Sequence, residues 1–157
     1  DINKKVKTIL EVKKSRGAAL IFIKKDTFLK VGLFDESFFL YYEDNDLLER
    51  ILKKKQKVYE VPIKFQHSYR SHDKKYNEPI EINRNWHYMW SMFNFYKKKE
   101  NYIFAVIYTL PILLRSFARL CIDYFFNNKK YLIYKARFDG LINSYLNKKS
   151  WYRPKLN

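Results

Sequence analysis

The chain reads as α/β, with a helical, basic and aromatic extension behind it. Three observations predict this. Two short apolar runs rich in branched residues, AALIFIK (18–24) and KVYEVPIKF (57–65), bracket a stretch with helical spacing. From residue 82 onward apolar residues recur every three or four positions. Only three Gly and four Pro occur in 157 residues, which excludes a loop-rich or collagen-like chain.

The elements follow in order. AALIFIK is expected to be a buried strand, and Gly17 before it permits a turn or close backbone approach. Asp26 is expected to cap a short helix through Val31, with Gly32 ending it. Residues 34–42 form an aromatic-rich connection. LLERILKKK (47–55) gathers Leu47, Leu48, Ile51 and Leu52 into one apolar stripe and puts lysines in the last turn, where they suit the helix dipole. Residues 57–65 alternate as a strand, and Pro62 confines it to an edge or a bulge. Residues 66–80 are polar and read as a loop. Helices are expected over 82–99, 102–126 and 131–146, with Pro111 kinking or breaking the second. A boundary between the α/β part and the helical extension is expected at 80/81, giving 1–80 and 81–157.

Charge and cysteine usage bound the function. The formal charge is +16. Up to Asn85 it is +6, and from Trp86 onward +10. A surface at once basic and aromatic suits anionic lipid or nucleic acid, although Lys, Asn, Ile, Tyr and Phe are abundant throughout. The single Cys121 excludes an internal disulfide framework and fits a reducing compartment. No signal peptide is visible, and a chain starting at Asp1 is expected to lack the front of a longer protein. YIFAVIYTLPILL (102–114) is apolar for 13 residues before Arg115, against about 20 for a span. It reads as a core helix or one lying in a membrane surface.

The acids in FDESFFLYYEDNDLLER (34–50) need an account in so basic a chain. The ordinary one is that Glu43 and Asp44 stabilise a helix start. The functional one is that FFLYY places carboxylates at the rim of an apolar wall, where they can serve as a general base. Asp44-Asn45-Asp46 also has the form of an Asp-x-Asp clamp for Mg²⁺ or Mn²⁺. His67 follows a strand and is either a satisfied structural residue or, with His72 and Asp73, part of a metal cluster; the spacing is not a strong zinc pattern. His87, in an aromatic helical stripe, reads as structural. No Gly-rich phosphate loop and no serine nucleophile elbow occur.

The ordered series of Gly turn, VGLFDESFF, Glu-Asp and strand-His over residues 16–72 resembles the second half of the catalytic domain of family 2 glycosyltransferases. The likeness is strongest to the bacterial rhamnosyltransferase-like members. Such a resemblance implies the C-terminal part of a GT-A nucleotide-sugar transferase fold, with the nucleotide-binding half absent. It implies an inverting transfer from a nucleotide-diphosphate sugar to a lipid-linked glycan in surface polysaccharide synthesis. Asp44 would be the base and Glu43 its orienting neighbour. Gly17, Ala18, Phe39, Tyr41 and Tyr42 would line the donor and acceptor sites, and His67 would help hold a divalent metal, Mg or Mn. The processive-synthase Gln-x-x-Arg-Trp motif is missing, so single-sugar transfer is expected. The implied location is the inner face of the plasma membrane, on an anionic surface and without nucleic acid.

Two other classes compete. One is a non-catalytic fragment or interaction partner that needs a separate nucleotide-binding half, whose sign would be exposed apolar strand edges. The other is a basic nucleic-acid-binding module, for which no sheet motif or helix-turn-helix is evident.

Overall fold

The computed structural model describes residues 8–18, 20–63 and 77–153. Helices make up 60% of these residues and strands 3%, which overturns the α/β expectation and with it the GT-A portion. Among the described residues the sheet is one two-stranded antiparallel ladder, β1 (Leu10–Glu11) against β2 (Tyr59–Glu60). Of the run at 18–24, the described residues, Ala18 and 20–24, do not form a strand. Their exposure alternates, with Ile21 and Ile23 half-buried and Leu20 and Phe22 outside, yet no backbone ladder forms along 20–23 among the described residues. Alternation reports one covered face; a strand also needs a neighbour within hydrogen-bonding distance. Of the second predicted strand, 57–65, residues 64–65 lie outside the described residues, and the described part keeps two strand residues for a local reason. Ile63 N–H donates to the Val61 carbonyl at 2.8 Å, a tight turn centred on Pro62.

The described residues divide into two compact units. Residues 8–18, 20–35 and 43–63 form the first, and 36–42 with 77–153 the second. This division differs from one at 80/81 by assigning the aromatic connection to the helical unit.

The first unit holds α1 (Lys25–Val31) and α2 (Glu43–Lys53) beside the ladder. Lys24, not Asp26, is the N-cap of α1, and Asp26 sits in the first turn where its charge favours the dipole. Gly32 ends α1 at φ 89°; its N–H donates to the Leu29 carbonyl and that of Leu33 to Phe28, the paired bonds of a left-handed helix stop. A small core of Val31, Leu47, Leu48 and Ile51 lies between the helices, lined by Ala18, Ile23, Phe28 and Val58.

The second unit is a three-helix bundle of α3 (Asn77–Lys99), α4 (Tyr102–Phe125) and α5 (Tyr131–Tyr145). α3 begins five residues before the predicted start, with Pro79 in its first turn, where a missing N–H costs nothing. Asn101 caps α4 by accepting from Phe104 N–H at 2.9 Å, and the helix continues unbroken through Pro111. Met89, Phe93, Ala105, Leu113 and Leu141 form the core. α3 and α5 approach so closely at Gly140 that a Cβ there would lie 2.4 Å from the Trp86 carbonyl oxygen. After α5 the chain runs back over α3. Trp90 Nε1 donates to the Lys148 carbonyl at 2.9 Å, and Tyr152 stacks on Trp86 with ring centroids 5.6 Å apart.

Candidate functional site

The start of α2 is built by charge. Glu43, Asp44 and Asp46 occupy its first turn, where carboxylates complement the exposed N–H groups and the positive dipole end. Each acid then meets a different fate. Asp46 is 3% exposed and accepts from Arg50 Nε at 2.8 Å, one turn on. Arg50 also donates to the carbonyls of Val31 and, at 2.6 Å, Leu33, so the ion pair fastens the end of α1 to α2. Asp46 is therefore a buried structural acid in the first turn of the helix. Glu49 accepts from Ser15 Oγ at 2.7 Å and ties the entering chain to the same helix.

Asp44 faces the 17–18 segment. Its Oδ2 accepts from Ala18 N–H at 2.6 Å, and its Oδ1 from Asn45 N–H at 2.7 Å. A Cβ on Gly17 would stand 3.3 Å from that Oδ2 and 3.7 Å from Asn45 Nδ2, so a larger residue there would press on the acid. Gly17, Ala18 and Asp44, 26 positions apart in the case of the hydrogen-bonded pair, are thus brought together. Each carboxylate oxygen has two lone pairs, and one described donor meets Oδ2 while Asn45 supplies two to Oδ1. Asn45 Nδ2 adds a longer contact to Oδ1 at 3.2 Å.

Glu43 differs from its neighbour. Its Oε2 is buried and has no hydrogen-bond partner among the described residues. Burial pushes its carboxyl above the ordinary range; the Asp44 charge adds to this, and Glu43's own backbone N–H opposes it.

The aromatic residues of the expected wall belong to the helical unit. Phe39 packs on His87, ring centroids 4.8 Å apart, and the Arg153 guanidinium lies 3.5 Å over its ring. Tyr41 meets Tyr88 edge-on at 5.5 Å. Tyr42 packs between Tyr88 and Phe95, and burial, with a hydrogen bond to Tyr88, pushes its phenol strongly up. Tyr41 and Tyr42 both take left-handed backbone conformations, at φ 67° and 66°. Non-glycine residues held so cost roughly 1–3 kcal/mol each and gather where a chain must be aimed.

His67, the expected metal residue, and His72 and Asp73 lie outside the described residues. Among those described, no three His, Cys, Asp or Glu side chains gather to share a cation. Asp46 is committed to Arg50, so the Asp44-Asn45-Asp46 triplet does not fit a metal clamp here. His87 is fully buried and spent. Its Nε2 donates to the Tyr152 carbonyl at 2.9 Å, which leaves Nδ1 to accept from Ser150 Oγ at 3.0 Å.

Sequence reasoning missed Arg50, although its place four residues after Asp46 is the spacing of a helical ion pair. It also missed Tyr88, which no local pattern marks. No family model, no curated protein and no solved structure matches this chain.

Proposed function

We propose that this chain takes part in sugar transfer from a nucleotide-diphosphate donor to a lipid-linked glycan acceptor at the inner face of the plasma membrane, with the start of α2 handling the acceptor hydroxyl. The observation that carries the proposal is the fastening of Asp44 beside Gly17 through Ala18 N–H. An acid that served only the helix dipole would need no anchor 26 residues upstream.

The chemistry follows from the lone pairs. Two backbone N–H groups and the Asn45 side-chain amide fix the Asp44 carboxylate in place and, among the described residues, leave a lone pair on Oδ2. As the acceptor oxygen attacks the anomeric carbon, the bond from that carbon to the diphosphate breaks and configuration inverts. The acceptor O–H proton passes to Asp44. An alcohol is far less acidic than a carboxylic acid, so the proton moves late, when the new bond is largely formed. Glu43, whose carboxyl burial pushes up, stands beside Asp44 and would hydrogen-bond a second sugar hydroxyl. The nucleotide would be held by polypeptide other than these 157 residues, which contain no phosphate loop.

The test is transfer of labelled sugar from a panel of nucleotide sugars onto membranes carrying lipid-linked glycans. Asp44→Asn keeps an oxygen for Ala18 N–H and is expected to lower the rate by about 10²–10⁴. A wild-type rate removes Asp44 from the role.

A second reading is an interaction partner that folds fully only beside a separate half. One observation favours it: the extended segment at 20–24 leaves Leu20 49% and Phe22 83% exposed beside an unladdered backbone. Phe22→Lys is expected to leave a self-sufficient chain unharmed and to abolish assembly of a dependent one, read by co-purification of the two halves.

A further inference from the structure

Independently of sugar transfer, we infer that the outward face of α4 docks on an anionic lipid bilayer, the helix lying in the interface and not crossing it. α4 has 24 residues and is the one helix among those described that is long and apolar enough to span a membrane. Yet only 22% of its most apolar window is buried. Over its first four turns its inner face is small: Ala105, Thr109, Leu113 and Ser116 are buried in the bundle, and both hydroxyls bond back to their own helix.

Its outer face is the reverse. Ile103, Ile107, Leu110, Leu114, Phe117 and Phe125 all lie exposed, Ile107 at 67%, Leu114 at 59% and Phe125 at 86%. Spacings of four, three, four and three, with the exposed Cys121 next in the series, make this one stripe along the helix. A face of that length is far from the scattered exposure of an ordinary soluble surface.

Charge selects the occupant. Lys97 precedes the helix and Lys129 and Lys130 follow it, with Arg115 along it. Tyr102 and Tyr124 stand near its two ends, where amphipathic rings favour a headgroup layer. A second copy seated on the same face would bring two chains together that each carry +10 from Trp86 onward. Anionic headgroups would instead neutralise those cations.

Crossing is excluded by the partners of α4. It is packed against α5, which at 15 residues is about 22 Å long and carries Lys135, Arg137 and Asp139. A hydrocarbon layer of about 30 Å could not accept that helix. Immersion of one face to about 5–10 Å requires neither α3 nor α5 to enter.

The native Cys121 is the only cysteine and is exposed on the stripe, so a nitroxide on it reports depth. The 157-residue chain is mixed with phosphatidylcholine vesicles with and without phosphatidylglycerol. Flotation with the anionic vesicles is expected, falling as salt rises, with the label at about 5–10 Å depth. Ile107→Ser/Leu114→Ser, both outward and checked for unchanged melting, is expected to weaken binding roughly tenfold or more. A label at the bilayer centre overturns the interfacial reading. Failure of the folded chain to float, or a lipid-free dimer that hides Cys121, overturns docking on lipid. None of these outcomes depends on Asp44, so the transferase proposal stands or falls separately.

Discussion

The two units hold themselves together by different means. The helical unit buries large side chains: Trp86, Phe93, Met89 and Leu141 are all at most 2% exposed, and its helices meet closely enough at Gly140 to exclude a methyl group. Among the described residues the first unit buries four aliphatic core residues and ties its pieces with polar contacts, Arg50 to Asp46 and two carbonyls, Ser15 to Glu49, Ala18 to Asp44. Burial of apolar area is non-directional and sets stability, whereas hydrogen bonds are directional and set where a particular oxygen stands. The unit with the poorer core is the one that fixes its acids.

The sharpest way to break this contrast is Arg50→Ala. It leaves Asp46 buried without its cation and frees the end of α1. A loss of about 3–5 kcal/mol is expected, enough to unfold a small unit. All three tryptophans (Trp86, Trp90 and Trp151) belong to the helical unit, so their fluorescence should hardly move while amide exchange over α1 and α2 accelerates. A Trp signal that collapses with it would erase the distinction.

Gly140→Ala is the converse. The Cβ meets backbone, not a flexible side chain, so α3 and α5 must separate. A cost of about 1–3 kcal/mol is expected, read as a lower Trp-monitored Tm, with exchange in α2 unchanged.

A smaller effect is expected from pH. Burial holds the His87 imidazole below its ordinary value; the Tyr152 carbonyl opposes this and Arg153 adds to it. The unfolded chain therefore takes up a proton more readily than the folded one. Stability of the helical unit is complete above the unfolded value of about 6.5 and is lost as pH falls from there through the depressed folded value. Trp-monitored denaturation at a series of pH values should show that slope in the wild type and not in His87→Gln.

The smallest is Asn101→Ala, which removes the α4 cap and should cost about 1 kcal/mol, seen as faster exchange in the first turn of that helix alone.

Legibility in the sequence followed the range of each interaction. α3, α4 and α5 were readable because helical periodicity is local, and Gly32 because a left-handed stop is local too. The run at 18–24 misled because alternation in Leu20 to Ile23 reports a half-covered face and says nothing of a ladder partner. The acids of α2 stood out by their charge, but the division of labour among them did not. Asp46 pairs with Arg50, Asp44 with a backbone N–H 26 residues away, and Glu43 keeps a buried oxygen unpartnered among the described residues. Those assignments depend on how residues 15–18 approach the helix, and no single segment encodes that. Gly17 beside Asp44 was suggested only by the resemblance to a transferase; the aromatic residues 39–42 were assigned to the same site by it, and they pack within the helical unit.

Sugar transfer by Asp44→Asn is the most direct measurement, made with Glu43→Gln alongside and with exchange of the Ala18 amide as the check that the anchor survives. The account predicts that the Asp44 variant loses about 10²–10⁴ in rate with Ala18 still protected, while the Glu43 variant, which can still donate a hydrogen bond, retains most of its activity. Undiminished transfer by a correctly anchored Asp44→Asn protein would contradict it.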